Sequence, residues 1–241
     1  MQKVFDGIYF IPGQDEMIPD AHVYIIGKPE SKDLSMIDAG LMGKAGYKIN
    51  AIQELGIQLE DIQRVIMTHT HLDHIGCLAE MREKMPWAEL WVQTVEAEPL
   101  EHGDERTVYG MDMFKSMCQM QYGLKDGAFT FQVDKKLIGN EQLEIGGMIW
   151  KVMHVPGHSA GSIALYDPEG KILIPGDVIY ADYAIGRFDL HGANPRKHRE
   201  SLLYLAELDV NILLPGHNRI LEHVPDGYLR ETAEQWETYL V

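Results

Sequence analysis

The run Thr68-His69-Thr70-His71-Leu72-Asp73-His74 brings three imidazoles and a carboxylate together directly behind the apolar segment Val65-Ile66-Met67. Imidazole nitrogens and carboxylate oxygens are common ligands of zinc, iron and manganese, so this density of both points to a metal site. The pattern places Val65-Ile66-Met67 on a buried strand and residues 76–85 on a helix with Leu78, Met81 and Met85 on one face. The ligands then occupy the strand-to-helix turn. Alternation at a strand end lets His69 and His71 project to one side, while Asp73 and His74 enter the turn and point to a neighbouring position. Two imidazoles suit one divalent ion; a carboxylate with an imidazole suits a second.

One ion needs three or four protein ligands, and the run cannot wrap all of its groups around a single centre. Three later segments have the form to supply the rest: Pro156-Gly157-His158, Gly176-Asp177 and Pro215-Gly216-His217. Each follows a strand-like apolar run, at residues 150–155, 172–175 and 212–214, and each opens a glycine-permitted turn.

The H-x-H-x-D-H run followed in order by P-G-H, G-D and P-G-H resembles the metallo-β-lactamase superfamily, from Val4 to about His217. The resemblance implies that His69, His71 and His158 hold one metal, that Asp73, His74 and His217 hold another, and that Asp177 bridges the two. It also implies that Asp38, in Met36-Ile37-Asp38-Ala39-Gly40, orients a ligand imidazole. Cys77 stands where the family usually has a second glycine, and it is read as a small helix residue. Of the eleven histidines, His22, His102, His154, His191, His198 and His223 are assigned ordinary surface or core roles.

With 37 acidic residues against 21 Lys and Arg, the formal charge of −16 has the wrong sign for a nucleic-acid binder that works through phosphate contacts. Cys77 and Cys118 make neither a disulfide framework nor a CxxC pair, which suits a reducing cytoplasm. The N-terminal residues lack the apolar stretch of a secretory signal, and no run approaches the ~20 apolar residues that span a bilayer. Cytoplasmic location, no membrane and no nucleic-acid partner are therefore expected. That setting disfavours the antibiotic-destroying members of the superfamily, which also lack the bridging Asp that Asp177 matches here.

Strand patterns are read at residues 4–10, 22–27, 34–37, 89–93, 142–145, 148–155, 162–166, 171–174 and 211–214. Helices are read at 44–55, from the Asn194-Pro195 start with Leu202, Leu205 and Leu208 on the buried stripe, and at 227–240. Periodicity alone gives α/β; the resemblance implies a four-layer αββα sandwich, one domain over residues 1–241. The segment 96–136 stands out as an insert. Within it Met111, Phe114, Met117, Cys118 and Tyr122 recur at helical spacing, and Met113 and Met120 widen the apolar arc. About half of these are expected on the core; the rest are expected to cap the active site and touch an acyl or aromatic part of the substrate, Phe114 and Met117 among them.

Two divalent ions, zinc first with iron or manganese as alternatives, would hold a bridging water and lower its pKa from about 15.7 to roughly neutral. Asp73 would orient that hydroxide and accept its proton. Ser159 and Ser162 lack a base partner and are read as turn hydrogen-bonders. The run from Gly176-Asp177 through Arg187 to His217 resembles type II glyoxalases, although the 24 residues after His217 are too few for their glutathione-binding helical domain. Tyr180 sits three residues after Asp177, as in acyl-homoserine lactonases, whose tyrosine assists at the carbonyl oxygen. Arg187 is a candidate for a substrate carboxylate. The expected activity is binuclear hydrolysis of a small carboxylic ester, thioester or lactone. The alternatives are a persulfide dioxygenase with one iron and a non-catalytic sensor or scaffold; oligomeric state, a homodimer included, is left open.

Overall fold

Pairs of adjacent apolar residues, such as Met36-Ile37, Val65-Ile66, Leu173-Ile174 and Leu213-Leu214, are fully buried, and on a strand neighbouring side chains face opposite ways. Such strands must be covered on both faces, which requires layers. The computed structural model, which describes residues 1–15 and 18–241, shows them. The first sheet runs in the order β1 (Gln2–Phe5), β2 (Ile8–Ile11), β3 (Val23–Ile26), β4 (Leu34–Ile37), β5 (Ile62–Ile66), β6 (Glu89–Gln93) and β7 (Lys135–Leu137). It is antiparallel as far as β4 and parallel from β4 to β7. The second contains β8 (Gln142–Ile145), β9 (Met148–His154), β10 (Ile163–Asp167), β11 (Ile172–Gly176) and β12 (Ile212–Pro215), with only the β11/β12 pair parallel.

Ile37, Ile66 and Trp91 from the first sheet meet Trp150, Leu165, Ile174 and Leu214 from the second in the central layer. Outside the first sheet, Met36, Val65 and Leu90 pack with residues of α1 (Ala45–Glu54) and α3 (Leu78–Lys84). Outside the second, Leu173 and Leu213 pack with Leu202 and Leu205 of α7 (Pro195–Leu205) and Leu229 and Ala233 of α8 (Tyr228–Trp236). The result is the αββα sandwich. Asn194 caps α7, its side chain accepting from Lys197 N at 3.0 Å.

Two sequence expectations need correction. The strand expected over residues 4–10 is two strands, because Gly7 at φ +75° turns the chain between β1 and β2. The helix expected over residues 76–85 starts earlier and breaks: α2 (Leu72–Ile75) already contains Asp73 and His74, and α3 follows after Gly76-Cys77. A neighbouring loop causes the break, since Cys77 N donates to Gly40 O and Asp73 O accepts from Ala21 N. The insert holds most of α4 (Thr94–Glu101), then α5 (Arg106–Tyr109), α6 (Asp112–Tyr122), where helical spacing is expected, and an edge strand, β7. Of the apolar residues along α6, only Cys118 is fully buried; Met113 and Met120 are 78% and 86% exposed. Phe114, Cys118 and Tyr122 pack on the first core, about half of the arc, as expected.

Candidate metal centre

The strands β4, β5, β9, β11 and β12 deliver Asp38, the His69–His74 run, His158, Asp177 and His217 just beyond their C-terminal ends. The nitrogens of His69, His71 and His158 form one group and those of His74 and His217 join carboxylate oxygens of Asp73 and Asp177 in another, all ligand atoms within a group lying within 4.8 Å. The two groups touch. Asp177 Oδ1 is 3.2 Å from His74 Nε2, and its Oδ2 is 3.5 Å from His217 Nε2 and 3.6 Å from His158 Nε2.

Hydrogen bonds on the far side of each ring fix which nitrogen faces inward. His158 Nδ1 donates to Arg187 O at 2.7 Å, and His74 Nδ1 donates to Asp38 Oδ2 at 2.8 Å. Thr68 Oγ1 donates to Asp38 Oδ2 and so accepts from His69 Nδ1 at 3.1 Å. The Nε2 lone pairs of His69 and His158 are thereby aimed at each other across 3.1 Å, an arrangement that repels unless a cation lies between them. Buried His71 Nε2, His74 Nε2, His217 Nε2 and Asp177 Oδ1 have no hydrogen-bond partner. Buried polar atoms are rarely left unpaired, so donors of this kind converging on two small volumes fit divalent ions well.

The groups differ in charge. Burial, then the neighbouring imidazoles, hold His69 well below its ordinary value; burial and His158 lower His71 to about 3, and burial lowers His158. Burial also opposes charging of His74 and His217, but Asp177 helped by Asp38 or Asp73 outweighs it and raises both. Against burial, His217 and His74 hold Asp73 at about 2 and Asp177 well below the carboxylate range. One group is neutral imidazole; in the other the ionised Asp73 and Asp177 hold His74 and His217 toward the protonated form, and a bound cation would take the place of those protons.

Local structure makes the convergence possible. Asp38 adopts φ +59°, a region unfavourable to non-glycine residues, and its carboxylate accepts from Thr68 N, Thr68 Oγ1 and His74 Nδ1. A Cβ on Gly216 would stand 2.1 Å from Asp177 Oδ1, so only glycine lets that backbone pass the carboxylate. Beneath the site, Lys48 Nζ donates to Asp20 Oδ1 at 2.7 Å with both side chains fully buried, and Asp20 Oδ1 also accepts from Leu41 N. His22 accepts from Gly13 N and bonds Asn218 O next to His217; His198 bonds Val178 O next to Asp177. Both are hydrogen-bonded core histidines, within the surface or core roles expected of them, but nothing in the sequence shows which loops they brace, nor the parts of Glu96, Asp20 and Lys48. A lone polar residue in an amphipathic pattern carries no sign of the loop it will meet.

A cavity of about 370 Å³ opens on the two groups. His71, Asp73, His158, Asp177 and His217 line one wall; Val108, Tyr109, Met111, Phe114 and Leu190 line the other. Tyr180 and Arg187 also line it, the Tyr180 ring 6.1 Å from that of His217. Burial and the Asp177 carboxylate push the Tyr180 phenol well above its ordinary value, so it stays protonated. Arg187 is forked onto Asp189 at 2.7 and 2.8 Å, the pairing that competes with any substrate carboxylate. Met117 is 42% exposed and lies outside the lining, in contrast to the expectation that it touches substrate. Ser159 and Ser162 bond each other, and Ser159 Oγ also bonds Glu96. Cys77 is buried, its thiol donating to Leu41 O.

A four-layer sandwich with paired His/Asp groups at its strand ends defines a metallo-hydrolase type of protein. The chain belongs to the metallo-beta-lactamase superfamily, whose family model matches residues 20–217. Its members are metal-dependent hydrolases. The chain is 32% identical over 186 residues to the probable metallo-hydrolase YqgX of Bacillus subtilis (76% of this chain, 78% of the relative). It is 30% identical over 187 residues to the human acyl-coenzyme A thioesterase MBLAC2 (73% and 64%), and 27% identical over 195 residues to the hydroxyacylglutathione hydrolase GloC of Haemophilus influenzae (78% and 81%). The structure of TTHA1623 in a di-iron-bound form superposes with a TM-score of 0.66 at 25% identity, covering 87% of this chain and 93% of that one.

Proposed function

We propose that the chain is a binuclear metal-dependent hydrolase of a small carboxylic ester, thioester or lactone. The observation that carries this is one cavity with two unlike walls: on one, both ligand groups with unpaired donors; on the other, an apolar surface suited to an acyl chain. His69, His71 and His158 would hold one ion, Asp73, His74 and His217 the other, and Asp177 would lie between them. Zinc is the first candidate, with iron or manganese as alternatives. Bound there, the ions would supply Lewis acidity and ionise water near neutral pH.

The chain's own residues do the rest. Asp73 remains ionised far into acid, so its carboxylate can accept a hydrogen bond from an attacking water and orient it. Tyr180, kept protonated, can donate a hydrogen bond to the substrate carbonyl oxygen as negative charge develops there. Phe114, Val108 and Met111 desolvate the acyl portion. The thioesterase MBLAC2 and the hydroxyacylglutathione hydrolase GloC support the thioester among the three bond types. Among the described residues no helix is long and apolar enough to cross a membrane. We place the enzyme in the cytoplasm, acting on a small molecule rather than nucleic acid.

Two measurements test the proposal: metal content of the chain purified without added metal, and turnover of a panel of thioesters, lactones and simple esters. Two ions per chain and hydrolysis of one class are expected. One iron with persulfide-dependent oxygen uptake would make it a dioxygenase instead; full metal loading without any turnover would make it a sensor.

A further inference from the structure

Glu96 is 2% exposed, and its carboxylate accepts four hydrogen bonds from the two loops that carry the imidazole group. Oε2 accepts from Thr70 N at 2.7 Å and Thr70 Oγ1 at 2.8 Å; Thr70 stands between His69 and His71. Oε1 accepts from Ser159 Oγ at 2.5 Å and Gly161 N at 2.9 Å; Ser159 follows His158. The contact is tight enough to demand glycine, since a Cβ on Gly161 would lie 2.8 Å from Glu96 Cγ. Glu96 itself is placed by the first turn of α4, whose cap Gln93 accepts from Val95 N. One rigid planar group, with one oxygen for each loop, therefore sets the distance between the His69/His71 backbone and the His158 backbone.

We infer that Glu96 is a positioning residue for the imidazole metal site, acting on His69, His71 and His158 without touching the Asp73/His74/Asp177/His217 group. A buried carboxylate left without these donors is strongly disfavoured, so it has one stable arrangement and passes that rigidity to the loops. The second group has its own brace in Asp38, which bonds His74 directly. Asp38 reaches the imidazole group only at His69 and only through Thr68 Oγ1, whereas Glu96 holds both loops of that group and neither of the other.

This rests on the proposed occupancy of both sites, and the test separates the two claims. The metal-loaded chain is challenged with a chelator and release of each ion is followed; His71→Ala, expected to keep only the carboxylate-side ion, identifies that phase. In Glu96→Ala the ion of the imidazole group should leave about 10- to 100-fold faster, the range for lost partners of metal-ligating residues, while the other phase is unchanged. Glu96→Gln, which keeps an acceptor for one loop only, should fall between. Reloading with cobalt(II) should show an altered visible spectrum for that site alone. If Glu96→Ala does not fold, Thr70→Val and Ser159→Ala each remove one donor and should each speed the same phase a few-fold. A wild-type chain holding fewer than two ions defeats the occupancy reading. Two ions with both phases unchanged, or both accelerated equally, overturn the role of Glu96.

Discussion

The two walls of the cavity are built in opposite ways. On the ligand wall, the histidines that follow β5 and β9 are braced from behind: Asp38 for His74, Arg187 O for His158, Glu96 for the backbone of His69–His71. The apolar wall comes from α5, α6 and the loop at Leu190, which join one another through His191 N to Gly110 O at 2.8 Å and are seated on the first core by Val108, Tyr109 and Cys118. Its outer side presents bare methionines to solvent. A wall that performs chemistry must hold atoms in fixed places, whereas one that receives an acyl chain needs only shape and low polarity.

The sharpest way to break this contrast is to damage the ligand wall. His71→Ala and Asp177→Ala should each lower turnover of every substrate by ~1000-fold or more, about 4 kcal/mol of barrier, with loss of metal seen by elemental analysis. Should Asp177→Ala retain both ions and full activity, Asp177 does not lie between them. Tyr180→Phe should follow, reducing kcat by roughly 100-fold, as for loss of one carbonyl-oxygen donor, with metal content intact. A change in metal content instead would make Tyr180 part of the scaffold.

The apolar wall should respond differently. Phe114→Ala should raise KM by about 10-fold for long acyl substrates and little for acetyl ones, because losing aromatic burial costs ~1–2 kcal/mol. Met117→Ala, outside the lining, should leave both constants unchanged; equal effects of the two substitutions would mean that α6 moves as a lid.

Acid offers the mildest test, through braces that are not ligands. Burial lowers His22 and His198 from 6.5 to about 4, so between those values the unfolded chain takes up protons that the folded one does not. Stability from these two groups is therefore complete above pH ~6.5 and lost as pH falls toward 4. The melting temperature of His198→Gln should depend less on pH across that window than that of the wild type. An unchanged slope would exclude His198 as the cause.

The seven residues that gather into the two His/Asp groups could be picked out of the chain because metal chemistry restricts residue type and spacing within each loop: H-x-H-x-D-H and three glycine-flanked single residues leave few other uses. The strands were legible for a similar reason, since burial on both faces demands unbroken apolar runs; β4, β6 and β8 have the bounds expected. Boundaries failed where a distant loop intervened, as when Gly40 O captured Cys77 N and split the helix after Asp73 and His74.

By itself, then, the sequence determined which side chains can bind metal and that layered strands must carry them. Tertiary structure decided which nitrogen of each imidazole faces inward, which residue of α6 meets the cavity, and that Glu96 joins loops whose histidines His69 and His158 lie 89 residues apart. Those outcomes depend on hydrogen bonds and packing between segments remote along the chain, and local composition carries no record of the partner that will arrive.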